Sequence, residues 1–170
     1  SASGLEGKRY MDLRGRSPWS ENDVVLISYG DSIQKPDEAP LVTLNRFVRN
    51  HLSRSVNVVH LLPFYPYSSD DGFSVIDYNA VHPELGSWDD ISELGESVGL
   101  MADLVLNHCS AKSEWFENFL EDRIPGKGYF IELDSSFDTS EVVRPRSSDL
   151  LQTFQLGRAK KRKVWCTFSA

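Results

Sequence analysis

Asn107 and His108 close the stretch MADLVLNHCS (Met101–Ser110), and Asp103 sits inside its apolar run. An amide, an imidazole and a carboxylate placed there can donate to and accept from hydroxyl groups. A second concentration of such groups lies in PFYPYSSDDGFSVIDY (63–78), where Asp70, Asp71 and Asp77 are interleaved with aromatic rings, Phe73 among them. Carboxylates form charge-assisted hydrogen bonds to hydroxyls, and ring faces stack on C–H faces. The two together suit the recognition of a sugar. An unpaired buried carboxylate is very costly, so Asp103 is expected to find donors among its neighbours.

These groups need elements to position them. DVVLISYG, from Asp23, is a β-branched apolar run stopped by Gly30. APLVTLNRFVRNHL places Leu41, Leu44, Phe47, Val48 and Leu52 at helical spacing. A second strand starts at Val56 and ends at Pro63, which cannot donate to a ladder. Ser87 and Asp90 have capping-box spacing ahead of a helix that buries Trp88, Ile91, Leu94 and Val98. The third strand is expected over Leu100–Leu106, and Ser113 caps a helix carrying Trp115, Phe116, Phe119 and Leu120.

The order β-α-β-α-β-α, with strands rich in Val, Ile and Leu, predicts a parallel sheet covered on both faces. In such proteins functional groups gather beyond the carboxyl ends of the strands. Here those ends lead to Tyr29-Gly30-Asp31, to the long loop holding Asp70, and to Asn107-His108 and then Ser110. Loops of that length are uncommon unless they work. From Ile124 the periodicity breaks, and RKVWCTF looks like one strand of a small antiparallel excursion.

Composition narrows the partners. The chain has 170 residues, 40% of them hydrophobic, and a net charge of −7. With a pI near 5.1 it is poorly suited to nucleic acid or an anionic membrane. The basic run RAKKRK (158–163) reads as a solvated loop or edge strand, with a localisation or polyanion patch as the alternative. Cys109 and Cys166 lie in no metal-binding spacing, which fits free thiols in a reducing compartment. No run approaches the ~18 apolar residues of a membrane span. SASGLEGKRY lacks a signal-peptide layout, so a cytoplasmic location is expected.

Several segments, in order, resemble the α-amylase superfamily of glycoside hydrolases. VHLLPFYP is similar to its second strand, GFSVIDYNAVHPELGSWDDI to the segment that follows, and ADLVLNH to its first conserved region. SSDDGFSVIDY and RPRSSDLL…KVWCTFSA resemble the sucrose phosphorylase branch, the latter its small inserted domain. The resemblance covers about Asp23 to Ala170. It implies an α/β fold: the N-terminal part of a (β/α)8 TIM barrel, its first three β/α units over 22–125. A polar extension would occupy 1–21, and most of an inserted domain B would occupy 126–170.

By position, the resemblance implies that Asp70 and His108 grip hydroxyls of a glucosyl ring and that Phe73 stacks on it. Asp71 stays open as the alternative ligand. Arg146 would lie on a phosphate-binding loop, and Phe168 would flank the acceptor subsite. Asp103 and Asn107 would fix the third strand's exit. No metal and no cofactor are implied, inorganic phosphate being a co-substrate.

Retaining α-glucosidic chemistry needs two carboxylates about 5–5.5 Å apart. The family's motifs for them, on its fourth and fifth strands, do not occur in this sequence. A barrel of this kind takes roughly 250 residues. The expectation is therefore an N-terminal portion, inactive alone, of an α-glucosyl phosphorylase that needs the remainder of its barrel. The parent would transfer glucose from sucrose, sucrose 6-phosphate or glucosylglycerate to phosphate, and a homodimer is compatible with it. A hydrolase of the same family and a non-catalytic sugar-binding or scaffold module are the rivals.

Overall fold

The computed structural model describes residues 20–134, 136–143, 148–156 and 160–167. Strand β1 (Val25–Ser28) is followed by helix α1 (Pro40–Phe47), which runs on into a π-helical turn over Val48–Leu52. Strand β2 (Val58–Leu61) leads through a long loop to α2 (Trp88–Ser97), then β3 (Gly99–Ala102) and α3 (Glu114–Leu120). Strands β4 (Leu151–Leu156) and β5 (Lys160–Trp165) form a separate antiparallel pair. The polar extension expected over 1–21 lies outside the described residues except for Ser20 and Glu21.

The sheet order is β1-β2-β3, parallel throughout, with Ile27 opposite His60 and His60 opposite Met101. Val59 and Leu61 turn to the helices, where they meet Leu41, Leu44 and Val48 of the first helical segment and Ile91 and Leu94 of α2. All seven are buried, and each such side chain stabilises by roughly 1.5–3 kcal/mol. Pro40 occupies the first turn of α1, where its missing N–H costs nothing. Ser87 and Asp90 form the expected capping box, with Ser87 N–H donating to Asp90 Oδ2 at 2.7 Å.

Coverage on both faces is not what the described residues show. The face carrying Ile27, His60 and Met101 has no helix on it, and Ile27 is 63% exposed. Trp88, expected in the core, is 44% exposed. Its position in the first turn lets the indole N–H reach Asn79 O at 2.8 Å and its ring meet Phe64 edge-on. The third strand is also shorter than expected, for a reason that belongs to the site.

A second core joins α3 to the β4–β5 pair. Phe116, Phe119 and Val164 are buried against Phe130 and Phe154, with the Phe116 and Phe154 centroids 4.6 Å apart. From Lys160 the basic run lies on the edge strand β5, as one expectation had it, but Arg162 corrects the solvated reading, being only 7% exposed. It shares a face of β5 with Val164, donates from Nη1 to Phe119 O at 2.8 Å and pairs through Nη2 with Asp122. Its guanidinium also lies 4.6 Å from the Phe119 ring centroid.

Arg162→Ala will lower unfolding stability by about 2–4 kcal/mol, because the Phe119 carbonyl loses its charged donor, the Asp122 carboxylate its partner and the hairpin its anchor. Arg49→Ala, breaking an exposed pair with Glu93, will cost about 0–1 kcal/mol in the same denaturant titrations. Equal losses would contradict the distinction. Glu38 accepts a fork from Arg46 and a hydrogen bond from Thr43, and these hold its carboxyl at about 2 against an ordinary 4.5. A depressed carboxyl stabilises above the unfolded value and loses that contribution as pH falls toward the folded one. The thermal-stability gap between wild type and Glu38→Gln will therefore be full above pH 4.5 and close as the pH approaches 2.

Candidate functional site

The β2–β3 register ends with Leu61 opposite Ala102, and a ladder carried two residues further would have to pair Pro63 with Leu104. Pro63 has no N–H to donate, and β3 ends at Ala102 rather than at Leu106. Leu104 and Leu106 are 75% and 81% exposed, while Val105 between them is buried. Asp103 does find a donor: its Oδ2 lies 3.0 Å from His60 Nε2 across the open face.

The loop after β2 folds back on itself. Tyr67 bridges Val75, Ile76 N–H donates to Pro66 O at 2.7 Å, and the tip is Asp70-Asp71-Gly72. All three tip residues have positive φ, at 59°, 50° and 101°. Asp tolerates that region better than most residues, and Gly72 is required there. A Cβ on Gly72 would stand 2.9 Å from Pro63 O. The tip is thus pressed onto the end of β2.

Hydroxyl groups tie this loop to the segment after β3. Ser68 Oγ lies 2.6 Å from Ser110 Oγ and 3.1 Å from Ser74 Oγ, and Ser110 N–H donates to Val75 O at 2.8 Å. Ser110 is fully buried. The result is one cavity of about 540 Å³ that Asp70, Asn107 and His108 all line. Its other walls include Tyr129, Phe130 and Trp165, with Gln152 and Phe154 from one face of β4.

Of the predicted residues, Asp70, Asn107 and His108 are brought together, whereas Asp103 is turned to His60. Phe73 follows the tip, half-buried, with its N–H on Asp70 O; it is not among the cavity's lining residues. Arg146 and Phe168 lie outside the described residues. The tip separates its two acids. Asp71 lines a different cavity of about 440 Å³ with Tyr29, Asp31, Tyr67 and His82.

Residues the sequence did not single out complete the site. Gln152 and Phe154 were accessible through the period-two alternation of LQTFQL. Tyr78 carried no such signal. Its ring stacks on Trp115 (5.2 Å, 15°), and its hydroxyl donates to Val105 O at 2.7 Å and His108 O at 3.2 Å. Burial, and then the neighbouring Cys109 and Tyr65, push that hydroxyl up to about 12. Cys109, within 3.3 Å of Ser113 Oγ, is also pushed up by burial, so it stays a thiol rather than a nucleophilic thiolate.

Chemically the cavity offers one carboxylate, an imidazole, the Lys112 ammonium, amides, hydroxyls, thiols and ring faces. That set can hold a polyol. Among the described lining residues Asp70 is the single carboxylate, so the two-carboxylate cleavage of a glycoside cannot be assembled from them. No cluster of three or more His, Cys, Asp or Glu able to hold a metal occurs among the described residues, and none of the described helices is long and apolar enough to cross a membrane.

Comparison with known proteins fits this picture. The glucosylglycerate phosphorylase of Spirochaeta thermophila is 50% identical over 155 residues, covering 91% of this chain and 26% of that protein. That of Escherichia coli is 49% identical over 162 residues, covering 95% and 29%. The crystal structure of sucrose 6F-phosphate phosphorylase from Thermoanaerobacter thermosaccharolyticum matches with a TM-score of 0.71 at 32% identity, over 88% of this chain and 32% of that one. The chain thus spans between a quarter and a third of the length of these relatives, and its β/α units are those of a partial (β/α)8 barrel. The family model described as the alpha amylase catalytic domain matches residues 53–159, a range that takes in β2, the Asp70 tip, the β3 exit at His108 and α3. The loops that build the cavity lie inside that match, and the chain belongs to the alpha-amylase catalytic-domain family.

Proposed function

We propose that this chain is the N-terminal portion of a retaining α-glucosyl phosphorylase, with glucosylglycerate as the preferred glucosyl donor and inorganic phosphate as the acceptor. The observation that carries the reading is the convergence of Asp70, Asn107 and His108, from two strand exits, in one aromatic-walled cavity. The relatives favour the donor: proteins named glucosylglycerate phosphorylase are 49–50% identical, and a sucrose phosphorylase of Streptococcus mutans is 41% identical.

In this reading Asp70 accepts from glucosyl hydroxyls while His108 donates to one, and Asn107 fixes the strand exit between the ladder and the sugar. Phe73 closes on the ring when the donor is bound. Arg146 and Phe168 serve phosphate and acceptor. The segment from 126 to 170 is an inserted domain B, and the nucleophilic and acid/base carboxylates come from the rest of a (β/α)8 barrel. That remainder also covers the open face around Ile27 and Met101. No metal or organic cofactor takes part. Cys109 and Cys166, neither of them in a disulfide, suit a cytoplasmic enzyme, and a homodimer suits its kind.

The test is an assay of the full-length protein carrying this chain. Glucose 1-phosphate will form from α-glucosylglycerate only when phosphate is present, and roughly tenfold or more slowly from sucrose. Asp70→Asn and His108→Ala will each lower kcat/KM by roughly tenfold to a hundredfold, the range of a hydrogen bond to a charged or polarised group. The 170-residue chain by itself will show no turnover. Glucose release independent of phosphate would make the protein a hydrolase. Glucoside binding without turnover by the full-length protein would make it a non-catalytic module.

A further inference from the structure

Tyr78 lies outside the cavity, yet it touches the segment that carries two of the cavity's residues. After Ala102 that segment has left the β-ladder, so strand pairing no longer decides where Asn107 and His108 stand. The Tyr78 hydroxyl reaches the carbonyl oxygens on both sides of them in sequence, Val105 O at 2.7 Å and His108 O at 3.2 Å. Its single proton serves two acceptors, of which the Val105 oxygen is the nearer. With the hydroxyl pushed up to about 12, that proton stays in place throughout the neutral range.

The ring is pinned in turn. Tyr65, from the same loop, packs at 5.5 Å, and Trp115 of α3 stacks at 5.2 Å. Trp115 is held from behind by the turn at Gly126, whose positive φ of 128° and missing Cβ admit the Trp115 carbonyl; a Cβ there would come within 2.2 Å of it. On its other edge Trp115 meets Tyr129, a cavity-lining ring, at 5.8 Å. Three separate stretches of chain therefore meet at one side chain. A loop residue is fixed to a helix and to a strand exit, and nothing in the arrangement requires Tyr78 to touch a ligand.

Building on the glucosyl-binding role given to His108 above, we infer that Tyr78 is a positioning residue: its hydroxyl bridge between Val105 O and His108 O holds the His108 imidazole in register with Asp70 for one sugar ring. The hydrogen bond acts on binding through His108 alone. Its loss should then matter only where His108 is present, which a general contribution to stability would not produce.

The experiment is a double-mutant cycle in the full-length protein, using phosphorolysis of α-glucosylglycerate. Tyr78→Phe keeps the stacked ring and removes the bridge. It should lower kcat/KM about tenfold, the scale of one hydrogen bond. In a His108→Ala background the same change should cost less than about twofold. Ile91→Val, a core change of modest thermal cost, should combine additively with His108→Ala. Additive losses for Tyr78→Phe and His108→Ala, or a Tyr78→Phe enzyme within twofold of wild type, would overturn the inference. If Tyr78→Phe does not fold, Trp115→Phe loosens the stack beneath the ring and takes its place in the cycle, with the same outcomes.

A crystal structure of the full-length Tyr78→Phe protein gives a reading that needs no activity. The His108 ring should be displaced or split between rotamers relative to wild type, and a superposable ring would overturn the inference. A wild-type protein that phosphorolyses no α-glucoside would end the functional reading, and the structural comparison would then decide the positioning role by itself.

Discussion

Pro63, two residues past the last β2–β3 pair, has no N–H to give, and the parallel ladder of β2 and β3 ends before it. The residues that line the cavity of Asp70 and His108 all follow that point in the chain. Released from pairing, the chain after β3 is held by side chains instead: Asp103 by His60, Val105 O and His108 O by Tyr78, and Ser110 by Ser68. The same proline receives the Gly72 turn, which no side chain could replace at 2.9 Å. One residue without a hydrogen thus ends two strands and seats the loop that carries Asp70. A ladder continuing to Leu106 would have spent the carbonyls and donors that now build the cavity.

Two cores of different character frame this arrangement. Beneath the sheet, aliphatic side chains from β2 and both helices set the positions of the strand ends. Over the cavity, an aromatic cluster and one buried guanidinium hold the β4–β5 pair against α3. The magnitudes decide which polar contacts matter. Exposed pairs such as Arg49–Glu93 and Arg123–Glu121 contribute about 0–1 kcal/mol each. Arg162 differs because its partners include a backbone carbonyl away from water. Removing it takes the charged donor from that oxygen, which keeps the Asp122 N–H at 3.2 Å, and a hydrogen bond from a charged group contributes about 1.5–3 kcal/mol. The wall formed by Gln152, Phe154 and Trp165 therefore depends on a residue from what reads as a surface charge run.

Local features were legible because they are decided within a few residues. The Ser87–Asp90 capping box, the Ser113 cap and the spacing of Leu41, Leu44 and Val48 belong to this kind. The meeting of Asp70 with His108 was legible for another reason: parallel order sends successive strand exits to one end of the sheet. Burial of Arg162 was carried by alternation, since Arg162 and Val164 share a face of β5, but six residues rich in charge mask that signal. Trp88 shows the converse, a residue at core spacing whose place in the first turn sends its indole to Asn79 instead. Tyr78 was out of reach, as its role arises from contacts 27, 30 and 37 positions along the chain. The split of Asp70 and Asp71 between two cavities follows from tip dihedrals that residue type permits without dictating.

The most direct measurement is a crystal structure of the full-length protein with glucose bound. The account places the ring in the cavity shared by Asp70 and His108, with sugar hydroxyls about 2.7–3.2 Å from the Asp70 carboxylate and the His108 imidazole. A glucose bound instead among Tyr29, Tyr67, Asp71 and His82 would contradict it, and would make Asp71 rather than Asp70 the acid that reads the sugar.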